Sequence, residues 1–530
     1  MLLSDTNFLQ VSGANMNLIP DTPGKSPNYW CTWGIQNYSL TEVANMASWI
    51  GPASNLNERL LFEDPGWAAR YFDKVRGDLY VLFDAGWDVP VGIDGDKERW
   101  RFSPLLPDPA RFPSCTGAPA EKLRRLDELC KQAGWRGAGL WGAPQIPGEG
   151  RDSFTAHPAT AEAYWRERAR WSQEAGIEYW KIDTGHHGGS AEYRRMLTRL
   201  ARQEAPGLML EHAPVSGPFS DVSVPWSDAP TANAGRYRSP DGVLQRALDF
   251  LAFSDILRTY DASAHLSVAT TLDRAAQIFT EGKVEPGARG LVNCEDEPYL
   301  IAGLGCAMGI LRHPLWLPRL NQDYNPAHVH RRIDEVTRAV RWQRLAPAFG
   351  VNEAATILDN RVLMDKWLFR ASDCWAWWVT GQEIAQGAPA RVARGMALPV
   401  VSVDGVPPFV AASRHPNGAI AVATLSRTST EKGIFVPLAD VTIEAGDGCA
   451  PIGIFGKYRS LTLNLTASLG SRRVWAQDLA GDEAIDITDK PSQTEKQIIL
   501  SGGLIDRIGC SAATPGDLSE PGMILSLKET

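Results

Sequence analysis

No apolar run in the 530 residues approaches the roughly 20 that a membrane-spanning helix requires. No basic cluster stands out: 53 basic residues face 62 acidic ones, and the net charge of −9 disfavours binding to nucleic acid or to an anionic bilayer. The eight cysteines include no C-x-x-C pair. That speaks against a disulfide framework or a cysteine zinc site and predicts buried free thiols. The adjacent pair His186–His187 lacks the i, i+4 spacing of a metal-binding helix. No metal and no cofactor are therefore expected. The opening stretch, "MLLSDTNFLQVSG", has neither a basic start nor a long apolar segment, so no signal peptide and a cytoplasmic location are expected. No strand-like run is followed by G-x-G-x-x-G, which argues against a dinucleotide-binding open sheet.

What is present is an ordinary globular composition, 44% hydrophobic and 22% charged, with 19 tryptophans. That count serves a large core or a set of stacking platforms for sugar rings, and does not choose between them. From about residue 27 to 345, short strand-like runs alternate with amphipathic helical stretches. The strand candidates are Tyr29–Gly34, Leu79–Asp84, Gly137–Gly142, Glu178–Asp183, Gly207–Glu211, Phe250–Asp255, Gly290–Glu295 and Gly309–Pro314. Two of the helical stretches, "AEKLRRLDELCKQAG" and "AEAYWRERARWSQEAG", finish on glycine, a frequent helix terminus. Eight such units predict a (β/α)8 TIM barrel over residues 27–350, after an N-terminal extension of 1–26. Beyond 350 the texture changes to short alternating runs such as "GAIAVATLS" and "RSLTLNLTA", broken by Gly, Pro, Asn and Asp. An all-β sandwich is expected over 351–530.

Active sites of such barrels lie at the C-terminal ends of the strands. The predicted ends bring together Trp30 and Trp33; Asp84, Trp87 and Asp88; Trp141; Lys181 and Asp183; Glu211 and His212; Asp255, Arg258 and Asp261; Asn293, Glu295 and Asp296; Arg312 and His313. Acids and tryptophans on one rim suit a hydroxyl-rich pyranose, with carboxylates at its edges and indoles beneath. Lys181 and Asp183, two apart on a strand, share a face.

These strand ends resemble a known pattern. "YWKIDTG" is similar to the fourth-strand K-x-D motif of the melibiase-type glycoside hydrolases, the clan of the family 27 and 36 α-galactosidases. "FDAGWD" resembles the clan's second-strand D-D-G-W motif, "NYWCTWG" its first-strand tryptophan motif, and "FSDILRTYD" its sixth-strand segment. The resemblance implies a barrel followed by a β-sandwich, and a retaining exo-glycosidase acting on an α-linked sugar. It implies Asp183 as nucleophile and Asp255 as acid/base, with Asp261 as the alternative acid should Asp255 cap a helix. Asp84, Lys181, Trp33, Trp87, Trp141, Glu211, Arg258 and Asp296 are expected to bind substrate. The chain departs from the pattern at Ala85, where α-galactosidases carry a second acid, and in the third-strand "GAPQ", which lacks a glutamate common in family 36. Ala85 puts galactose in question.

In a retaining mechanism two carboxyl groups stand about 5–5.5 Å apart across the anomeric carbon. Lys181 would keep Asp183 ionised by proximity. Transglycosylation through the same site, or a barrel that binds carbohydrate without turnover, remain the alternatives, as does a structural Lys181–Asp183 ion pair. The expected partner is a carbohydrate, with no nucleic acid and no membrane, and a homo-oligomer is left open.

Overall fold

The computed structural model describes residues 16–38, 55–63, 66–90, 104–148, 152–213, 240–259, 264–311, 332–369, 381 and 383–529. Eight short strands form one parallel sheet: β1 (Asn28–Cys31), β2 (Leu79–Phe83), β3 (Gly137–Gly142), β4 (Tyr179–Ile182), β5 (Met209–His212), β6 (Ile256–Arg258), β7 (Leu291–Asn293) and β8 (Gly309–Ile310). Each pairs with the next from β1 to β7, and β8 returns to β1. The Ala307 N–H donates to the Val292 carbonyl and the Asp296 N–H to the Gly309 carbonyl, which joins β7 to β8 and closes the ring. Helices such as Pro119–Gln132, Pro158–Ala175 and Ala191–Glu204 cross between successive strands. The predicted (β/α)8 barrel is thus the observed one.

Every residue of these strands is buried. Side chains on one face fill the barrel and those on the other meet the helices, as a parallel sheet covered on both faces requires. The helix Pro158–Ala175 starts on proline and stops where Gly176 turns left-handed at φ +80°, the stop that its terminal glycine predicts. Ser190 caps the next helix by accepting the Tyr193 N–H.

One strand candidate is displaced. Phe250–Asp255 reads as apolar at either period, but the helix Pro240–Leu251 runs into it and β6 begins only at Ile256. The Ser254 N–H donates to the Leu251 carbonyl and its hydroxyl to that of Phe250, forming the turn between them.

The C-terminal region forms two larger sheets, of eight and five strands. Val410, Val422 and Ile454 of one meet Val441, Leu461 and Ile498 of the other in a separate core. Asp440–Glu444 buries every second residue, as a strand with one solvated face does. Phe409–Arg414 and Ile420–Leu425 are buried on both faces, because the barrel helix Pro298–Leu304 packs on their outer side. Gly303 makes that approach feasible: a Cβ there would lie 3.0 Å from those of Ala411 and Ala423. The fully buried pair Arg338–Asp478, at 2.9 Å, ties a barrel helix to the sheet.

Among the described residues no helix is long and apolar enough to cross a membrane. Among the described residues five cysteines are buried free thiols, as expected; Cys449 is exposed and Cys510 partly so, against that expectation. Arg312, His313 and Asp261 lie outside the described residues.

Candidate active site

The lumen of the barrel is lined at its lower levels by Tyr29, Cys31, Tyr80, Tyr179, Met209, Ile256 and Leu291. Strand alternation then carries Lys181 and Asp183 (from Tyr179), Glu211 (from Met209), Arg258 (from Ile256) and Asn293 and Glu295 (from Leu291) to the same inner face, nearer the C-terminal rim. The sequence folds this way because each of these polar residues follows an inward apolar or aromatic residue at a spacing of two or four.

The groups form one connected network. Lys181 Nζ lies 2.7 Å from Asp84 Oδ2 and 3.5 Å from Asp183 Oδ2. Arg258 divides its guanidinium, Nη1 donating to Asp183 Oδ2 at 3.2 Å and Nη2 to Glu295 Oε2 at 2.6 Å. The Trp141 indole N–H points at the same Asp183 oxygen from 3.4 Å. All three contacts fall on Oδ2, and among the described residues none bonds Oδ1. The side chain of Asp183 keeps 16% exposure, against 6% for that of Asp84 and 1% for that of Glu295.

Deeper in the lumen the Tyr29 hydroxyl lies 3.1 Å from Glu211 Oε1 and 3.2 Å from Glu295 Oε1. Tyr179 and Asn293 donate to the other oxygen of Glu211.

This arrangement sorts the carboxylates by protonation. Burial works to raise the pKa of Asp183, but the charges of Lys181, Arg258 and Arg194, with the Trp141 N–H, outweigh it and hold the group below the usual carboxylate range. Glu295 goes the other way: burial pushes it up to about 7, despite Arg258 and Lys181. Burial and Arg258 oppose the Lys181 ammonium, yet Asp84 and Asp183 keep its pKa raised. Two carboxyl groups whose environments drive them apart in this way are a signature of catalytic sites.

Several expectations are corrected. Asp255 does not share the rim with Asp183. It precedes β6 and lies about 10 Å back along the strand from Arg258, three residues at roughly 3.3 Å each. An odd spacing from the inward Arg258 turns its side chain to the helix layer, where Oδ2 accepts the Leu210 N–H and Arg202 of the helix Ala191–Glu204 stands 3.7 Å from Oδ1. Glu211 is fully buried beneath the rim and bonded within the protein. Asp296, at φ +57°, spends Oδ1 on the Leu311 N–H and is closed off from solvent. Trp87 is fully buried and gives its indole N–H to the Trp141 carbonyl, so it is packing and not a platform. Trp30 stacks on Trp135 in the core. His212 faces outward to Arg194 and Thr198.

Asp84, Lys181, Arg258, Trp33 and Trp141 do meet Asp183 or its immediate neighbours.

Three supports escaped the sequence reading. Tyr179 was signalled by alternation, two residues before Lys181 and four before Asp183, and Tyr29 only by sharing the inward face of β1 with Cys31. Arg194 was not: a single arginine on an amphipathic helix gives no hint that it will be fully buried and donate to the carbonyls of Ile182, Asp183 and Gly188, bracing the end of β4.

No family model and no curated protein sequence matches the chain. Solved structures are similar to it over most of its length. A candidate α-galactosidase from Bacteroides fragilis shares 10% identity at a TM-score of 0.39, covering 95% of this chain and 79% of its own. A candidate α-N-acetylgalactosaminidase from Bacillus halodurans shares 11% at 0.38, covering 95% and 97%. An Anoxybacillus α-amylase shares 10% at 0.39, covering 95% and 98%. Likeness at this level transfers no function, and the chemistry of the rim has to supply the reading.

Proposed function

We propose that the rim around Asp183 is the active site of a glycoside hydrolase, a retaining exo-glycosidase that releases an α-linked sugar by double displacement. One observation carries this reading: two buried cations hold the Asp183 carboxyl below the usual carboxylate range and grip one oxygen, Oδ2, while no described residue bonds Oδ1. Such an oxygen is placed to attack. Oδ1 adds to the anomeric carbon as the leaving oxygen takes a proton, giving a covalent glycosyl-enzyme. Water then attacks the same carbon, losing its proton to the acid/base carboxylate, and Asp183 leaves with its electron pair. Lys181 and Arg258 keep the nucleophile anionic in a nearly dry site and fix its orientation.

Asp255 lies before β6, away from Asp183, and this favours the alternative Asp261 as the acid/base. It follows Arg258 by three residues in the sequence and lies outside the described residues. Arg258 itself is bonded to Asp183.

An activated 2-deoxy-2-fluoro glycosyl fluoride tests the reading. The expected result is slow inactivation and a mass gain of one glycosyl unit on the peptide that contains Asp183. Full activity of Asp183→Asn on any glycoside the protein cleaves would sink it. Binding of sugars with no turnover would instead support the carbohydrate-binding alternative, and sugar transfer to an added alcohol would support transglycosylation.

A further inference from the structure

Beneath Asp183 the lumen holds more carboxyl groups than cations. Lys181, Arg258 and the more peripheral Arg194 face Asp84, Asp183, Glu211 and Glu295, and of these four only Asp183 keeps appreciable exposure. Ionising all four would leave negative charge in excess, which a dry interior resists.

The hydrogen-bond donors point to where a proton stays. The Tyr29 hydroxyl lies 3.1 Å from Glu211 Oε1 and 3.2 Å from Glu295 Oε1, but it has one hydrogen to give. Burial and the two carboxyl groups push its pKa up, so it keeps that hydrogen. Its oxygen already accepts an Asn293 N–H. Were Glu211 and Glu295 both ionised, one of them would press a charged oxygen against the lone pairs of the hydroxyl. Glu211 is the better supplied anion, because Tyr179 and Asn293 both donate to its Oε2. Glu295 Oε2 accepts from Arg258 at 2.6 Å, as the carbonyl oxygen of a neutral acid can, and its Oε1 faces Tyr29.

We propose that Glu295 keeps a proton on Oε1 up to neutral pH and donates it to Tyr29, while Tyr29 donates its own hydrogen to Glu211. Glu295 is then a positioning residue: it anchors Arg258 without cancelling the guanidinium charge, which stays on Asp183. The charged groups facing Glu295 are Arg258, Lys181 and Asp296, and its burial outweighs the two cations. The role toward Asp183 rests on the glycosidase reading, whereas the proton itself does not.

Infrared difference spectra of the full chain between about pH 6 and about pH 9 read the proton directly. A carboxylic acid C=O band should be lost as pH rises. Part of that loss should be missing in Glu295→Gln, in which the amide offers the same carbonyl to Arg258 and an N–H to Tyr29. The remainder belongs to other buried carboxyls such as Asp88, which burial also pushes up to about 7. Glu211→Gln should weaken the Glu295 component already at the lower pH, because an amide there can donate to Tyr29 and turn the Tyr29 hydrogen toward Glu295. A band unchanged by Glu295→Gln, or insensitive to Glu211→Gln, overturns the inference. On an aryl glycoside that the protein cleaves, the acidic limb of kcat/KM should stay in place in Glu295→Gln, since the group removed carries no charge there. A shift of that limb by about one unit to lower pH would mean that Glu295 is ionised, and overturns the inference as well. No turnover of any glycoside sinks the glycosidase reading and leaves the infrared result to decide the proton.

Discussion

Removing the Lys181 charge tests the electrostatic core of the site. Lys181 Nζ stands 3.5 Å from Asp183 Oδ2 and both are largely shielded from solvent. Two unit charges at that separation attract by roughly 4–5 kcal/mol at an effective dielectric constant of about 20. One pKa unit corresponds to about 1.4 kcal/mol. Full loss of the charge is therefore worth up to about 3 units on Asp183, with Arg258 still holding part of the depression. The sign follows from the direction of the shift. A carboxyl with a depressed folded-state pKa stays ionised to low pH, and its stabilising contribution is lost as pH falls through that folded value. Raising the pKa moves this loss, and the acidic limb of kcat/KM, toward neutral pH.

Lys181→Met alone would also strand Asp84, a buried carboxylate 2.7 Å from the ammonium, at about 3–5 kcal/mol of stability. The informative protein is the double variant Lys181→Met/Asp84→Asn, which removes the pair together. We expect it to fold, to recover most of that loss in a denaturant titration, and to show an acidic limb about one to three units higher than the parent. A well-folded double variant whose acidic limb stays where the parent has it would refute the claim that Lys181 keeps Asp183 ionised.

Asp261→Ala should slow substrates with poor leaving groups about 10²–10⁴-fold more than activated aryl glycosides, whereas Asp255→Ala should show no such split and lose about 1–3 kcal/mol in thermal or chemical unfolding, because the Leu210 N–H is left without its acceptor. The reverse pattern would restore Asp255 to the acid/base role. Glu295, pushed up from 4.5 to about 7, binds a proton more readily folded than unfolded, so it makes stability fall as pH rises across that window. Glu295→Gln should flatten that fall, and an unchanged stability profile between those pH values would show that Glu295 does not titrate there. Arg338→Ala leaves the buried Asp478 without its counter-charge, with only the Ala480 and Ala512 N–H groups still donating to it, and is expected to cost about 3–5 kcal/mol, read as a drop in unfolding midpoint; a change below about 0.5 kcal/mol, the scale of a surface substitution, would mean the pair contributes nothing.

Local pattern was enough for the barrel. Strand period, helix stops at glycine and the order of the units are properties of short segments, and each segment's burial enforces what its pattern suggests. Gly176 ends its helix as the sequence indicates because only a residue tolerant of φ +80° fits there. Lys181 and Asp183 were legible as a pair because a spacing of two on a strand fixes a common face whatever the rest of the chain does. The pairing of Asp183 with Arg258 was not legible, nor the sealing of Glu211 and Asp296 inside the protein. Those depend on which residues of different strands come level once the ring closes, and on side chains such as Tyr29 and Arg194 that arrive from distant elements. Asp255 shows the limit most clearly. Its neighbours Phe250 and Phe253 suit a helix end as well as a strand, and β6 is three residues long. Its start is set by pairing with β5 and β7, which places Arg258 inward and Asp255 outward. Because successive side chains on a strand alternate faces, a boundary displaced by a few residues moves a carboxylate from the rim to the helix layer.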